Sequence, residues 1–314
     1  MDFELSRRRF LEALGTTGAA ACAGAFYGCG SQAYSLGPKR PVEHRLSSDL
    51  IIVRGEDPAE MVRSALEALG GIDKLVKPGD VVVVKPNMAW DRRPEQAATT
   101  NPAVVAAVVK LCLKAGAKQV RVFDRTCNDP RRSYDSSGIA KAAEDAGASV
   151  GHVLDRKFRS IAVPNGVSMK EWTIYEDAVR ADVLINIPIA KHHGTSRLTL
   201  GFKNMMGIAG GARNKWHTEI HQRIADFATV TAVDLTIVDA YRILTARGPA
   251  SGTAADVRKE GLLVAGTDPV AVDAYCSTIF GLEPREVGFV QKASAHGLGE
   301  IDLAKVNQQK VELA

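Results

Sequence analysis

Residues 181–221 read ADVLINIPIAKHHGTSRLTLGFKNMMGIAGGARNKWHTEIH and hold four of the chain's seven histidines, three lysines and two arginines. A binding or catalytic site needs such a density of imidazoles and cations. Lys191, His192 and His193 come straight after an apolar run. A lysine in that position can hold a carboxylate or phosphate, or act as a base once desolvation lowers its pKa. Paired histidines suit proton transfer near neutral pH or metal ligation; the plainer alternative is a solvated basic loop. Segment 201–213 adds glycines that let backbone approach a ligand, with Lys203, Arg213 and the following Lys215 as positive charges. A flexible cationic loop is the plainer reading there. The order of Gly and Lys is not that of a Walker A loop, and no Ser or Thr follows the lysine. His217 and His221 are spaced i, i+4, so on a helix they share a face and can hold one metal. Thr218, Glu219 and Ile220 between them do not make H-E-x-x-H, which disfavours a zinc protease.

Alternating β-rich and helical stretches are available to position these residues. The pattern predicts strands at 49–53, 81–84, 120–123, 149–154, 183–187, 235–238 and 261–265. It predicts helices at 58–69, 102–114, 136–146, 219–230 and 269–280. Val81, Val82, Val83 and Val84 show no polar alternation, the mark of a central parallel strand buried on both faces. Asp57-Pro58 and Asn101-Pro102 read as an N-cap followed by proline in the first helical position. Segment 156–180 is a less regular excursion with a hairpin around Pro164-Asn165-Gly166. The expected fold class is α/β, with a mostly parallel sheet between helices on both faces, in three layers.

In such sheets ligands bind where the strands end and helix N-termini begin. That rule gathers Lys85, Asn87, Asp124, Asn186, Lys191, His192, His193, Asp239, Thr267 and Asp268 at one edge. The candidate catalytic groups are Lys191, His193, Lys203 and Asp239. The candidate ligand-binding groups are Lys85, Asn87, Thr100, Asn101, Asn186, His192, Asn204, Arg213 and Asp268. For Asn101 and Asp268 helix capping weighs more than chemistry.

With 314 residues, 46% of them apolar, the chain can bury a large core, which excludes a disordered or fibrous class. Its formal charge of +4 is too mild for a nucleic-acid-binding surface, and an anionic small molecule is the expected partner. Ser6-Arg7-Arg8-Arg9-Phe10-Leu11, followed by an Ala- and Gly-rich run to about Gly28, resembles a twin-arginine export signal. Glu12 stands where that pattern often has Lys; the alternative is the basic start of an amphipathic helix. The run is too short for a membrane span, and none is expected in the mature chain. The organisation read from this is a signal segment at 1–33, a linker at 34–48 and one α/β domain at 49–314. The expected location is the periplasm or cell envelope, with the twin-arginine translocase as partner during export. Lipid anchoring at Cys29 fits badly because Phe26 and Tyr27 precede it, and Ser31-Gln32-Ala33 is an alternative cleavage site. No C-x-x-C spacing occurs, so a ferredoxin-type iron–sulfur motif is absent.

Several short motifs occur in order: Lys85-Pro86-Asn87, Thr99-Thr100-Asn101-Pro102, Asn186-Ile187-Pro188 with Lys191 and His193, Lys203-Asn204 with Gly207, His217, Asp239-Ala240, and Gly266-Thr267-Asp268-Pro269-Val270-Ala271-Val272-Asp273. Together they resemble domain-of-unknown-function family 362 over most of residues 50–282. Some members carry an iron–sulfur segment that this chain lacks, and the resemblance brings no activity with it. A fainter resemblance is to nickel-pincer lactate racemases, in which a His, a cofactor-holding Lys, a Gly and a metal-ligating His follow one another. Here His193, Lys203, Gly207 and His217 have that order. It implies that Lys203 tethers or positions a cofactor, His217 binds metal and His193 moves protons.

The expectation is therefore an exported protein that binds an anionic ligand or cofactor at the strand ends, as an enzyme using Lys/His acid-base or metal chemistry. The cofactor is undetermined, with a divalent metal as one candidate. The rival is a non-catalytic metal- or anion-binding protein serving a partner system.

Overall fold

The computed structural model describes residues 35–37 and 50–313. The twin-arginine segment, Cys29 and nearly all of the expected linker lie outside the described residues. The strands are β1 (Ser35–Leu36), β2 (Leu50–Arg54), β3 (Val81–Pro86), β4 (Gln119–Val122), β5 (Ser149–Val150), β6 (Phe158–Ala162), β7 (Glu171–Tyr175), β8 (Val183–Ile187), β9 (Ile189–His193), β10 (Arg197–Thr199), β11 (Leu235–Leu244), β12 (Val257–Gly266) and β13 (Gln308–Glu312). The helices are α1 (Pro58–Ala68), α2 (Pro102–Lys114), α3 (Pro130–Ser136), α4 (Ile139–Asp145), α5 (Glu176–Arg180), α6 (Gly201–Asn204), α7 (Ile220–Thr231), α8 (Pro269–Ile279) and α9 (Gly288–Ala295).

The main sheet runs β13-β2-β12-β11-β8-β3-β4-β5, and β1, β6 and β7 form a small separate sheet. Along this path neighbours are parallel except at β12, which is antiparallel to both β2 and β11; off it, β9 joins β11 in parallel and carries β10 antiparallel. The fold is thus α/β with a mostly parallel sheet in the middle layer. Side-chain alternation along β3 builds both faces: Val82 and Val84 enter the core under α1, α2 and α4, while Val83 enters the core under α7, α8 and α9. Each such fully buried aliphatic side chain contributes about 1.5–3 kcal/mol. Lys85, two residues beyond Val83, therefore falls on the α7–α8–α9 side of the sheet. Among the described residues no helix is long and apolar enough to cross a membrane.

Asp57 and Asn101 cap α1 and α2 as their sequence context predicts, each accepting a backbone N–H and each followed by proline. The excursion after β5 is the antiparallel hairpin β6–β7. Four features differ from the sequence reading. First, β12 runs against its neighbours; its end at Gly266 pairs with Thr236 near the start of β11, which pairs in turn with Asn186, so Gly266 stands in the same row of the sheet as Lys85. Second, β11 continues through Asp239 to Leu244, because Tyr241, Ile243 and Leu244 suit a strand, and Arg242 to Leu244 pair with the first half of β12 beyond an irregularity at Tyr241. Third, Lys191 to His193 form β9 rather than a loop, in a hairpin with β10. Fourth, the helix expected at 136–146 starts at Ile139 as α4, because Gly138 adopts φ 67°, and a separate helix, α3, precedes it.

Candidate functional site: a saturated polar base under an unsaturated cationic mouth

The base of the site is built at the ends of β3, β4 and β8. Lys85 is fully buried and its Nζ is ringed by three oxygens: Asp124 Oδ1 at 2.8 Å, Asn204 Oδ1 at 3.1 Å and the Pro86 carbonyl at 2.7 Å. Burial lowers the Lys85 pKa in spite of the opposing pull of Asp124. Asp124 Oδ2 accepts the Met88 N–H at 2.8 Å, which fixes the chain just beyond β3. Asn204 joins the strand ends: its Oδ1 also accepts from Asn87 Nδ2 at 3.0 Å, and its Nδ2 donates to Asn186 Oδ1 at 2.8 Å. Asn186 donates in turn to the Gly201 carbonyl at 2.9 Å. Thr100 Oγ1 accepts the Asn87 N–H at 2.8 Å and donates to the Ile187 carbonyl at 2.7 Å. These groups use up one another's hydrogen-bonding capacity.

Two residues hold this base together from outside it. A Cβ on Gly207 would stand 1.9 Å from Asp124 Oδ1 and 2.5 Å from Lys85 Nζ, so only glycine can cover the ion pair. Asp273, fully buried on α8, accepts the Gly201 N–H at 2.7 Å and the Phe202 N–H at 3.0 Å, pinning the first turn of α6. Burial pushes its carboxyl up to about 7.

Above the base lies a second group of cations with fewer partners. Lys191 is buried, donates to the Ala98 carbonyl and, at 3.4 Å, to Asn87 Oδ1, and lies 6.0 Å from the centre of the Trp90 ring. Burial first, then the charge of Lys203, lowers its pKa to about 7. Lys203 is partly exposed, and among the described residues its Nζ has no oxygen or nitrogen acceptor, only the Met206 Sδ at 3.9 Å. Its pKa falls to about 8, through burial and then the neighbouring Arg213 cation.

Strand alternation puts Lys191 and His193 on one face of β9 and His192 on the other. His193 Nδ1 accepts the Thr195 and Ser196 N–H groups, both at 3.2 Å. Its neutral ring therefore carries the proton on Nε2, and charging it would set N–H against N–H. Burial, with the Lys203 and Lys191 charges, takes its pKa down to about 3. His217 stacks beside it, ring centres 6.5 Å apart. The His217 Nδ1 faces the Asn214 carbonyl at 3.0 Å, and because a carbonyl can only accept, Nδ1 holds the proton and Nε2 is left as an acceptor. The two rings thus present one donor and one acceptor. Cys127 completes the group: its exposed thiol lies within electrostatic reach of Lys85, Lys191 and Lys203. The sequence reading did not select it, although it stands three residues beyond the strand-end Asp124.

Other candidates have different surroundings. Asp268 caps α8, accepting from Val270 and Ala271, and takes the Glu300 N–H. Both of its carboxylate oxygens are engaged with backbone N–H groups, the capping role that its sequence context suggests. Asp239 lies inside β11 and accepts the Asn101 N–H at 2.7 Å and the Tyr241 N–H at 3.1 Å, a structural pairing in which burial lifts its carboxyl to about 6. Asn101 caps α2. His192 turns away from Lys191, with its Nδ1 accepting the Gly248 N–H at 3.2 Å. Arg213 spends its guanidinium on the carbonyls of Met206, Arg125 and Thr126, tying down the loop that bears Cys127. His217 and His221 do not share one helix: His217 is in a 3-10 segment, Glu219 breaks the helical path at φ −142°, and His221 opens α7. Both line a cleft with Thr195, Glu219 and Lys292. Among the described residues no group of three or more His, Cys, Asp or Glu could hold a metal ion.

The fold and this cluster define a three-layer α/β protein with a cationic polar site at the carboxyl ends of its parallel strands. Residues 82–278 match the family model described as Domain of unknown function (DUF362), and the chain belongs to that family. A thylakoid-associated protein from Synechocystis is 30% identical over 234 residues, 72% of this chain and 71% of that protein. Among solved structures, the lactate racemase apoprotein from Thermoanaerobacterium thermosaccharolyticum matches at TM-score 0.44 and 14% identity, covering 71% of this chain and 54% of that one. A structural-genomics protein from Thermotoga maritima matches at TM-score 0.39 and 13% identity, covering 59% and 51%. The chain spans about half the length of each of these two solved structures.

Proposed function

We propose that this chain binds an anionic small molecule between Lys191, Lys203, His193 and His217 and acts on it as an enzyme. One observation carries the reading: Lys203 has no anionic partner among the described residues, while the nearby carboxylate, Asp124, is already taken by Lys85. Uncompensated positive charge beside a mouth open to solvent favours an anion. In this reading Lys191 and Lys203 bind the charged end of the ligand. His193 Nε2–H donates to a carbonyl or oxyanion, and His217 Nε2 accepts a proton, giving one electrophile and one base. Lys85, Asn87, Thr100, Asn186 and Asn204 position these groups without touching the ligand.

The test is calorimetric titration of the purified chain with phosphate, oxalate and succinate. At least one is expected to bind saturably, and Lys203→Gln is expected to weaken it about tenfold or more, the scale of one charge-assisted contact. Equal affinity in the parent and Lys203→Gln would overturn the reading. We also propose export to the periplasm or cell envelope, supported by the arginine motif at Arg7 and Arg8 and by a relative named for its thylakoid association. Cell fractionation of the parent and of an Arg7→Lys, Arg8→Lys double variant tests this; retention of both in the cytoplasm would end it.

A further inference from the structure

We propose that Lys203 is a Schiff-base lysine and that the ligand is a small 2-oxo carboxylate, whose carbonyl carbon Lys203 attacks while Lys191 and Thr199 hold its carboxylate. This rests on the anion-binding reading above, with Lys203 passing from charge pairing to bond formation where the ligand carries a ketone. Three features of the site converge on the assignment. The first is the isolation of the amine. A lysine becomes a nucleophile when desolvation or a neighbouring cation favours its neutral form, and Lys203 has both, with Lys191 and Arg213 near it and no oxygen acceptor among the described residues. Its pKa of about 8 leaves a useful neutral fraction. Partial exposure lets a ligand reach Nζ, and its backbone is fixed on both sides, by Asp273 at Gly201 and Phe202 and by the Asn204 network.

The second feature is a pair of buried hydroxyls without partners. Thr199 is 3% exposed and Thr99 is 1% exposed, and among the described residues neither Oγ1 has a hydrogen-bond partner. Thr199 pairs directly with Lys191 across the β9–β10 hairpin, so the two side chains share a face. Thr99 follows Ala98, whose carbonyl holds the Lys191 ammonium. Buried polar groups are normally satisfied; a carboxylate beside Lys191 gives Thr199 the acceptor it lacks. The third feature is His193, whose ring can only donate from Nε2 while Nδ1 is engaged with the Thr195 and Ser196 N–H groups. Such a donor suits a carbonyl oxygen under attack.

The step balances without a redox partner. The Nζ lone pair forms a bond to the carbonyl carbon, and the C=O π electrons move to oxygen, which His193 Nε2–H stabilises. That oxygen then takes one proton from the amine and one from solvent and leaves as water, giving a protonated imine that withdraws electrons from the bonds next to the former carbonyl.

The experiment incubates the purified chain with pyruvate and sodium borohydride and locates the reduced adduct by peptide mapping, with oxalate calorimetry in parallel because oxalate has no ketone to attack. Expected is one adduct, on Lys203, suppressed by oxalate and lost in Lys203→Gln, with trapping at limiting pyruvate about fivefold lower in Thr199→Val, the scale of one hydrogen bond. Oxalate binding without any pyruvate adduct overturns the Schiff base and leaves the anion site standing. Failure of both overturns both. An adduct on Lys191, or spread over surface lysines, also overturns the assignment, and unchanged trapping in Thr199→Val removes the proposed carboxylate contact.

Discussion

Lys85 and Lys203 lie in the same part of the molecule and have opposite surroundings. Lys85 is fully buried among three oxygens, one from a carboxylate, whereas Lys203 is partly exposed and among the described residues its Nζ has only a thioether as a hydrogen-bond partner. The comparison separates what holds the site from what the site offers. A buried ion pair that meets all its partners locks strand ends together and has nothing left for a ligand. A cation next to other cations, with no acceptor, leaves its interaction free energy for something that arrives.

The largest effect should come from breaking the base. Lys85→Met or Asp124→Asn leaves a buried group without its counter-charge and should cost about 3–5 kcal/mol in urea unfolding. A loss below about 1 kcal/mol would mean that the ion pair is not the structural element described here. Gly207→Ala, which drives a methyl into Asp124 and Lys85, should cost about 1–3 kcal/mol even though only one carbon is added. By contrast Lys203→Gln, which removes a cation that the fold holds below its ordinary pKa, should not lower stability while weakening anion binding. If it unfolds the protein, the division between base and mouth fails.

Stability should also depend on pH in two opposed ways. Lys191 and Lys203 have pKa values of about 7 and 8 in the fold against an ordinary 10.5, so between those limits the unfolded chain binds more protons and stability rises with pH. Asp239 and Asp273 stand at about 6 and 7 against 3.8, so there the folded chain binds more protons and stability falls as pH rises. These four groups together place a shallow minimum near neutrality, visible in urea titrations at acid, neutral and alkaline pH. A monotonic profile in the parent that Lys191→Met leaves unaltered would argue against the lysine contribution.

Much of the base was legible in the sequence. Val81 to Val84, Asn101-Pro102 and the run at β8 signal buried strands and a capped helix, and the strand-end rule then names Lys85, Asn87, Asn186 and Lys191. The direction of the strand before Asp268 is not legible in the same way, because an apolar run such as 261–265 reads alike whichever way it runs. A local signal for the reversal exists in the segment between β11 and β12, which holds Gly248-Pro249 and Ser251-Gly252 and no helical period. Without a crossover helix the following strand can only return antiparallel. His192 and His193 look equivalent as a pair, and only the alternation of β9 tells them apart. The tautomer of each histidine, the lone hydroxyl of Thr199 and the nearness of Cys127 depend on contacts between remote segments, which no local pattern encodes.

The most direct test of an unsatisfied cationic mouth is proton uptake on binding. An anion that joins Lys191 and Lys203 must raise their pKa values, so calorimetric titration with oxalate at about pH 8.5, repeated in buffers of different ionisation enthalpy, should show net protons taken up by the complex. Uptake should disappear when both lysines are replaced by Gln. Binding with no proton uptake, or with proton release, would contradict the account.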